Sequence, residues 1–232
     1  MQAAKAGAFG HHGGVEDGIL ARADTDAGEV VLRRRDGALE LIVNGVFAMD
    51  TTEVSSEVAL ADAAGAPPGR VLVGGLGLGF TTARLLDNGA TGVDVVERAG
   101  PLLDWARQGL TPVLARVAAD PRTRLHHAGI LDFVATATDR WDAIVLDVDN
   151  GPSFLIHDDN AAVYGTGFLT NCLARLTPGG RLLVWCETAS PALERDLRRV
   201  AGAVDLIDVP VTREGRSFSY ALYRAQRSTV AP

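Results

Sequence analysis

Residues 71–79 read Val71-Leu72-Val73-Gly74-Gly75-Leu76-Gly77-Leu78-Gly79. Three aliphatic residues make a short buried strand, and a helical pattern resumes near Thr82. The glycines between them let the backbone turn sharply and keep Cβ atoms out of the way of an approaching ligand. Backbone N–H groups at the helix start then face a polar group. Glycines at 75, 77 and 79 are more than a plain tight turn asks for.

Working outward, the alternation continues. Strands are read at Val93–Glu97, Arg124–His127, Trp141–Asp147 and Arg181–Trp185, with a helical stretch after each. Two further strands lie near 206–211 and 217–223. This order predicts an α/β fold with a largely parallel, doubly wound Rossmann-like sheet and ligand chemistry at the strand C-termini. Upstream, residues 1–14 form an Ala/Gly/His-rich tail. Residues 15–66 form a small N-terminal β-hairpin domain with turns at Asp36-Gly37 and Asn44-Gly45. Thr51 or Thr52 caps a linking helix through Val54 and Leu60. Ala66-Pro67-Pro68-Gly69 ends that helix, and residues 67–232 form the main domain.

The chain has 232 residues, 47% hydrophobic and 22% charged, with a net charge of −7. Such a surface repels phosphate backbones, which argues against a nucleic-acid partner. No apolar run is long enough for a bilayer and no secretory pattern opens the chain, so no membrane partner and a cytoplasmic location are expected. Cys172 and Cys186 read as buried thiols, no zinc spacing is present, and no metal is expected. His11-His12 belongs to the tail.

The glycine spacing does not fit GxGxxG: the third glycine would fall on Phe80 or Thr82. The turn Gly74, Gly75, Gly77, Gly79 therefore suits an adenosine-containing ligand without a pyrophosphate. Glu97 ends the second strand, where a carboxylate accepts from both ribose hydroxyls. Gly129, Ile130 and Leu131 offer surface beside an adenine, and Asp132 either accepts from its amino group or caps a helix. Asp147 and Asp149, at the end of the fourth strand, are poised to face a sulfonium or an amine. His157, in a loop that would act as a lid, and Tyr164 are, with Asp149, candidate proton acceptors. Trp105, Trp141 and Trp185 read as packing residues.

These residues resemble the spermidine synthase-like branch of the S-adenosylmethionine-dependent transferases over roughly 39–222. The likeness rests on Gly74–Gly79, Val95-Val96-Glu97, Asp120-Pro121-Arg122, Trp141-Asp142-Ala143-Ile144 into Asp147, Tyr164 with Phe168, and Pro178-Gly179-Gly180. It implies a seven-stranded methyltransferase-type sheet, S-adenosylmethionine or its decarboxylated form as cofactor, and a homodimer. Several family acids are missing. Ala48 stands at the family's glutamine, Glu57-Val58-Ala59 at its Tyr-x-Glu, Gly77 at an Asp of the turn, Gly129 at the acid beside adenine, and Asn150-Gly151 at a second Asp-Pro. A long dication needs such acids to replace its water, which argues against putrescine or spermidine. Three functions follow. One is attack on the longer chain of the sulfonium, by a small molecule or by the chain's own amine in a ring closure, releasing methylthioadenosine. The others are methyl transfer to a small molecule and a non-catalytic binding module.

Overall fold

The computed structural model describes residues 17–25, 28–148, 151–152, 155, 158–213 and 215–226, the side chains of 158 and 159 excepted. Asp149, Asn150 and His157, and the tail with His11-His12, lie outside the described residues.

The N-terminal segment is a four-stranded antiparallel sheet in the order β1 (Gly18–Thr25), β2 (Gly28–Arg35), β3 (Ala38–Val43) and β4 (Val46–Asp50). The expected hairpin is its centre. Asp36-Gly37 and Asn44-Gly45 both adopt positive φ, the left-handed pairs that two-residue hairpin turns require. Helix α1 (Ser55–Ala63) follows, but neither threonine caps it. The N-cap residue is Val54, with no side-chain cap. The Thr51 hydroxyl instead accepts from the Leu39 N–H at 3.0 Å, and the Thr52 hydroxyl donates to Asp50 at 2.7 Å.

The main sheet has seven strands. β5 (Arg70–Gly74) lies at its centre, followed by α2 (Phe80–Asp87) and β6 (Gly92–Glu97). Two helices, α3 (Gly100–Gln108) and α4 (Pro112–Ala119), lead to β7 (Thr123–His127). Then come α5 (Ile130–Thr136), β8 (Trp141–Leu146), a 3₁₀ helix (Asp158–Tyr164) and α6 (Thr166–Arg175). β9 (Leu176–Cys186), α7 (Pro191–Ala201), β10 (Val204–Arg213) and β11 (Arg216–Gln226) complete the chain. The spatial order is β10-β11-β9-β8-β5-β6-β7, with β5 to β9 parallel to one another and β11 antiparallel to both its neighbours. Connections leave β5 toward β6 and return to β8 on its other side. That reversal opens a crevice above the carboxyl ends of β5, β6 and β8.

Alternation along the strands divides the core. Val71 and Val73 face a cluster that includes Leu85, Leu102 and Leu114, together with Val30, Leu32 and Leu41 of the small sheet. Leu72 faces the other way, among Ile144, Leu146, Leu169 and Tyr223. The small sheet thus shares one hydrophobic core with the main sheet and is held over the crevice by it. Among the described residues no helix is long and apolar enough to cross a membrane.

One charged group lies deep in the sheet. Asp94 of β6 is 2% exposed and accepts from the Trp141 indole at 2.9 Å and from Arg70 at 3.0 Å, with His126 Nε2 also at 3.0 Å. Burial alone would raise its pKa. The hydrogen bonds from Trp141 and His126 and the charge of Arg70 outweigh that and hold it below the ordinary 3.8. Because the folded-state value is depressed, the stabilisation is complete at neutral pH and fades as pH falls through the carboxylate range. Asp94→Ala is expected to cost about 1–3 kcal/mol by leaving the buried indole N–H unpaired. Urea unfolding at pH 7 checks this, and the gap to wild type should narrow below about pH 4.

Candidate active site

The glycine turn is fastened at both ends by backbone. The Gly75 N–H donates to the Val96 carbonyl at 2.9 Å, and the Asp147 N–H donates to the Gly74 carbonyl at 2.9 Å. Gly75 has φ +92°, and a Cβ there would sit on the Asp147 carbonyl oxygen. Gly77 has φ +51°, and a Cβ there would lie 2.8 Å from Met49 Sδ. Gly75 therefore requires glycine for conformation and for space, whereas a side chain at Gly77 would press only on the movable Met49 thioether. Met49 comes from β4, and its sulfur also accepts from the Leu78 N–H at 3.2 Å, so the small sheet rests directly on the turn.

Above the turn lies a cavity of about 620 Å³. Gly75, Leu76 and Gly77 line its floor, and Val30, Leu41, Val43 and Met49 of the small sheet line its roof. At one end is Glu97. Its carboxylate accepts from the Leu76 N–H at 2.9 Å and the Ala99 N–H at 2.7 Å, which fixes its orientation at the end of β6. Burial pushes the Glu97 carboxyl above its ordinary value, and those two N–H groups oppose the shift. Beside it, Val96, Leu102, Ile130 and Leu131 form an apolar slot, with Gly129 and Asp132 at its edge. The N-cap of α5 is Gly129, so Asp132 lies in the first helical turn rather than at the cap.

The other end is acidic. Asp147 follows β8 and accepts from the Thr81 hydroxyl at 2.8 Å. Burial pushes its pKa up to about 6, against the pull of that hydrogen bond. Glu57, on the inner face of α1, is 9% exposed and accepts from the Ser56 hydroxyl at 2.6 Å. Burial, and next the charge of Asp147, push it up to about 7. Among the described residues neither acid forms an ion pair. Trp185, at the end of β9, completes this wall, 5.0 Å ring to ring from Tyr220.

The sequence-predicted residues divide accordingly. Gly75, Gly77, Glu97, Gly129, Ile130 and Asp147 line one cavity. Gly74 and Gly79 do not reach its wall. Gly74 packs on Val148 and Ile130, and Gly79 caps α2 at φ +88° against Leu114 and Val117. Tyr164 is 6% exposed and packs with Phe168 and Leu169, next to Val163, which does line the cavity. Trp185, expected as a packing residue, faces the cavity. Glu57 and Thr81 were not expected there. Among the described residues no group of three or more His, Cys, Asp or Glu side chains is placed to hold a metal.

No protein-family model matches the chain, and no curated protein does. Solved structures do. A spermidine synthase crystallised with the transition-state analogue AdoDATO aligns with TM-score 0.75 at 17% identity, over 91% of this chain and 74% of that one. Spermidine synthase from Thermotoga maritima aligns with TM-score 0.71 at 16% identity and the same coverage. The chain has the spermidine synthase-like fold. The seven-stranded sheet and the appended N-terminal sheet both fall within this likeness, as the resemblance implied. At such identities it is the fold that is shared.

The turn supplies a direct check. Gly75→Ala is expected to lose about 1–3 kcal/mol through backbone strain alone. A urea midpoint equal to that of wild type would contradict the close approach to Asp147.

Proposed function

We propose that the cavity holds an adenosyl sulfonium and that the protein transfers its longer carbon chain to a small nucleophile, releasing methylthioadenosine. The observation that carries this reading is the polarity of the cavity: at one end the oriented Glu97 carboxylate, at the other Asp147 and Glu57, hydrogen-bonded but with no cation beside them among the described residues. The ribose hydroxyls would donate to Glu97, and the adenine would lie between Val96 and Ile130–Leu131 beside Gly129. The sulfonium would pass over Gly75, where the backbone is bare.

Asp147 and Glu57 then face the donor's chain and amino group. Two acids held together without a cation are costly, and a positively charged ligand removes much of that cost. The same acids disfavour a carboxylate at the chain end, so decarboxylated S-adenosylmethionine suits the cavity better than the intact molecule. Displacement at a sulfonium carbon needs an aligned nucleophile and exclusion of water, and the small sheet covers one side of the site. The fold shared with spermidine synthases agrees with this class of transfer, while the family acids absent from this sequence argue for an acceptor other than a polyamine.

Incubation with decarboxylated or intact S-adenosylmethionine and a pool of small amines, followed by mass spectrometry, tests the proposal. Methylthioadenosine is the expected product, and its release without an added acceptor would indicate ring closure. S-adenosylhomocysteine alone would overturn the reading in favour of methyl transfer. Glu97→Ala is expected to weaken methylthioadenosine binding at least about tenfold, as loss of hydrogen bonds to a charged group implies. Calorimetric titration measures it.

A further inference from the structure

The main cavity does not end at Asp147. Beyond it lies a smaller cavity of about 170 Å³, lined by Asp50, Glu53, Glu187, Arg213, Phe218 and Tyr220 among others. Ala48, Met49, Glu57 and Trp185 border both cavities, and of these four only Glu57 carries a titratable group. It comes from α1, whose buried face is Ser56, Glu57, Leu60 and Ala61. Helix packing therefore fixes the carboxyl in the partition between the two spaces.

Resting on the transfer reading above, we infer that Glu57 is the proton acceptor of the reaction and that the nucleophile reaches it through the smaller cavity. An acceptor ammonium gives its proton to the Glu57 carboxylate. The freed nitrogen lone pair forms the new bond to the sulfonium-bound carbon. The carbon–sulfur bond breaks, and its electron pair stays on sulfur as a neutral thioether. The proton then leaves through the smaller cavity. Asp147, held by Thr81 on the donor side, remains charged and orients the chain.

The surroundings of Glu57 suit this task. Asp147 faces it from the end of β8, Glu53 precedes it on the chain, and Tyr220 of β11 and Glu187 after β9 face it from the main sheet. The cation Arg213 is paired with Asp50. With burial and Asp147 raising its pKa to about 7, Glu57 is divided between its two forms at neutral pH, as an efficient base requires. Since the base must be ionised, kcat/KM should rise as pH climbs through about 7. The Ser56 hydrogen bond favours the ionised form, so removing it should move this rise to higher pH.

Two measurements test the assignment. The first counts protons by calorimetry at pH 7 in buffers of different ionisation enthalpy. Binding of decarboxylated S-adenosylmethionine, a dication, should release protons from wild type, and neutral methylthioadenosine should not. In Glu57→Gln the release should fall at least by half, with methylthioadenosine affinity kept as the check on folding; undiminished release overturns the inference. The second is the pH profile. Glu57→Gln should lose about 100-fold or more in kcat, and its kcat/KM limb should fall from about 7 to about 6, where Asp147 takes up its proton. Ser56→Ala should keep ligand affinity and shift the limb upward. Glu57→Gln within about threefold of wild type, or an unmoved limb in Ser56→Ala, overturns it. The limb is read on whichever adenosyl product is released, so S-adenosylhomocysteine as product would sink the transfer reading and still leave Glu57 under test.

Discussion

A backbone segment that crosses between two parallel strands at their carboxyl ends has no room for side chains. Here Gly74 and Gly75 are tied to Asp147 on one side and Val96 on the other, so the turn lies flat between β8 and β6. The rest of the site depends on that. The turn presents the Leu76 N–H to Glu97, places Gly77 under Met49, and starts α2 so that Thr81 reaches Asp147. A floor made of main chain costs no conformational adjustment when a ligand arrives, because neighbouring strands already hold it.

The three acids that line the main cavity differ in how they are satisfied. Glu97 accepts two backbone N–H groups and is oriented before any ligand binds. Asp147 and Glu57 each accept one hydroxyl; burial raises the pKa of all three acids, to about 6 at Asp147 and about 7 at Glu57. The first arrangement favours recognition of neutral hydroxyl donors. The second leaves proton affinity near neutrality, which suits a group that exchanges protons or meets a cation.

Much of this was legible in the sequence, because central strands of a parallel sheet are continuous aliphatic runs and the turn is written in glycine. Strand ends then placed Glu97, Gly129 and Asp147 on one edge. Glu57 was harder to read because an acid on a helix is ordinarily a solvated one. Its signal was spacing: Glu57, Leu60 and Ala61 share one face, so the carboxyl had to follow the apolar pair inward. Trp185 escaped for a similar reason, since alternation along β9 fixes a face but not whether that face meets a helix or a cavity. Tyr164 shows how little a sequence says about the depth of a side chain. An aromatic hydroxyl after a polar loop resembles a reachable group, yet the 3₁₀ helix delivers it onto α6 and into the core.

Arg213, near the tip of the β10–β11 hairpin, is paired with Asp50 and lies 4.8 Å over the Phe47 ring. Both partners belong to β4, so the hairpin is clamped to the small sheet beside the smaller cavity. Side chains from β4, α1, β9 and the hairpin thus meet around one space, and Ala48, Met49, Glu57 and Trp185 serve as wall to both cavities. A replacement in that shared wall is therefore felt on both of its sides at once, and neither space can be reshaped there without the other.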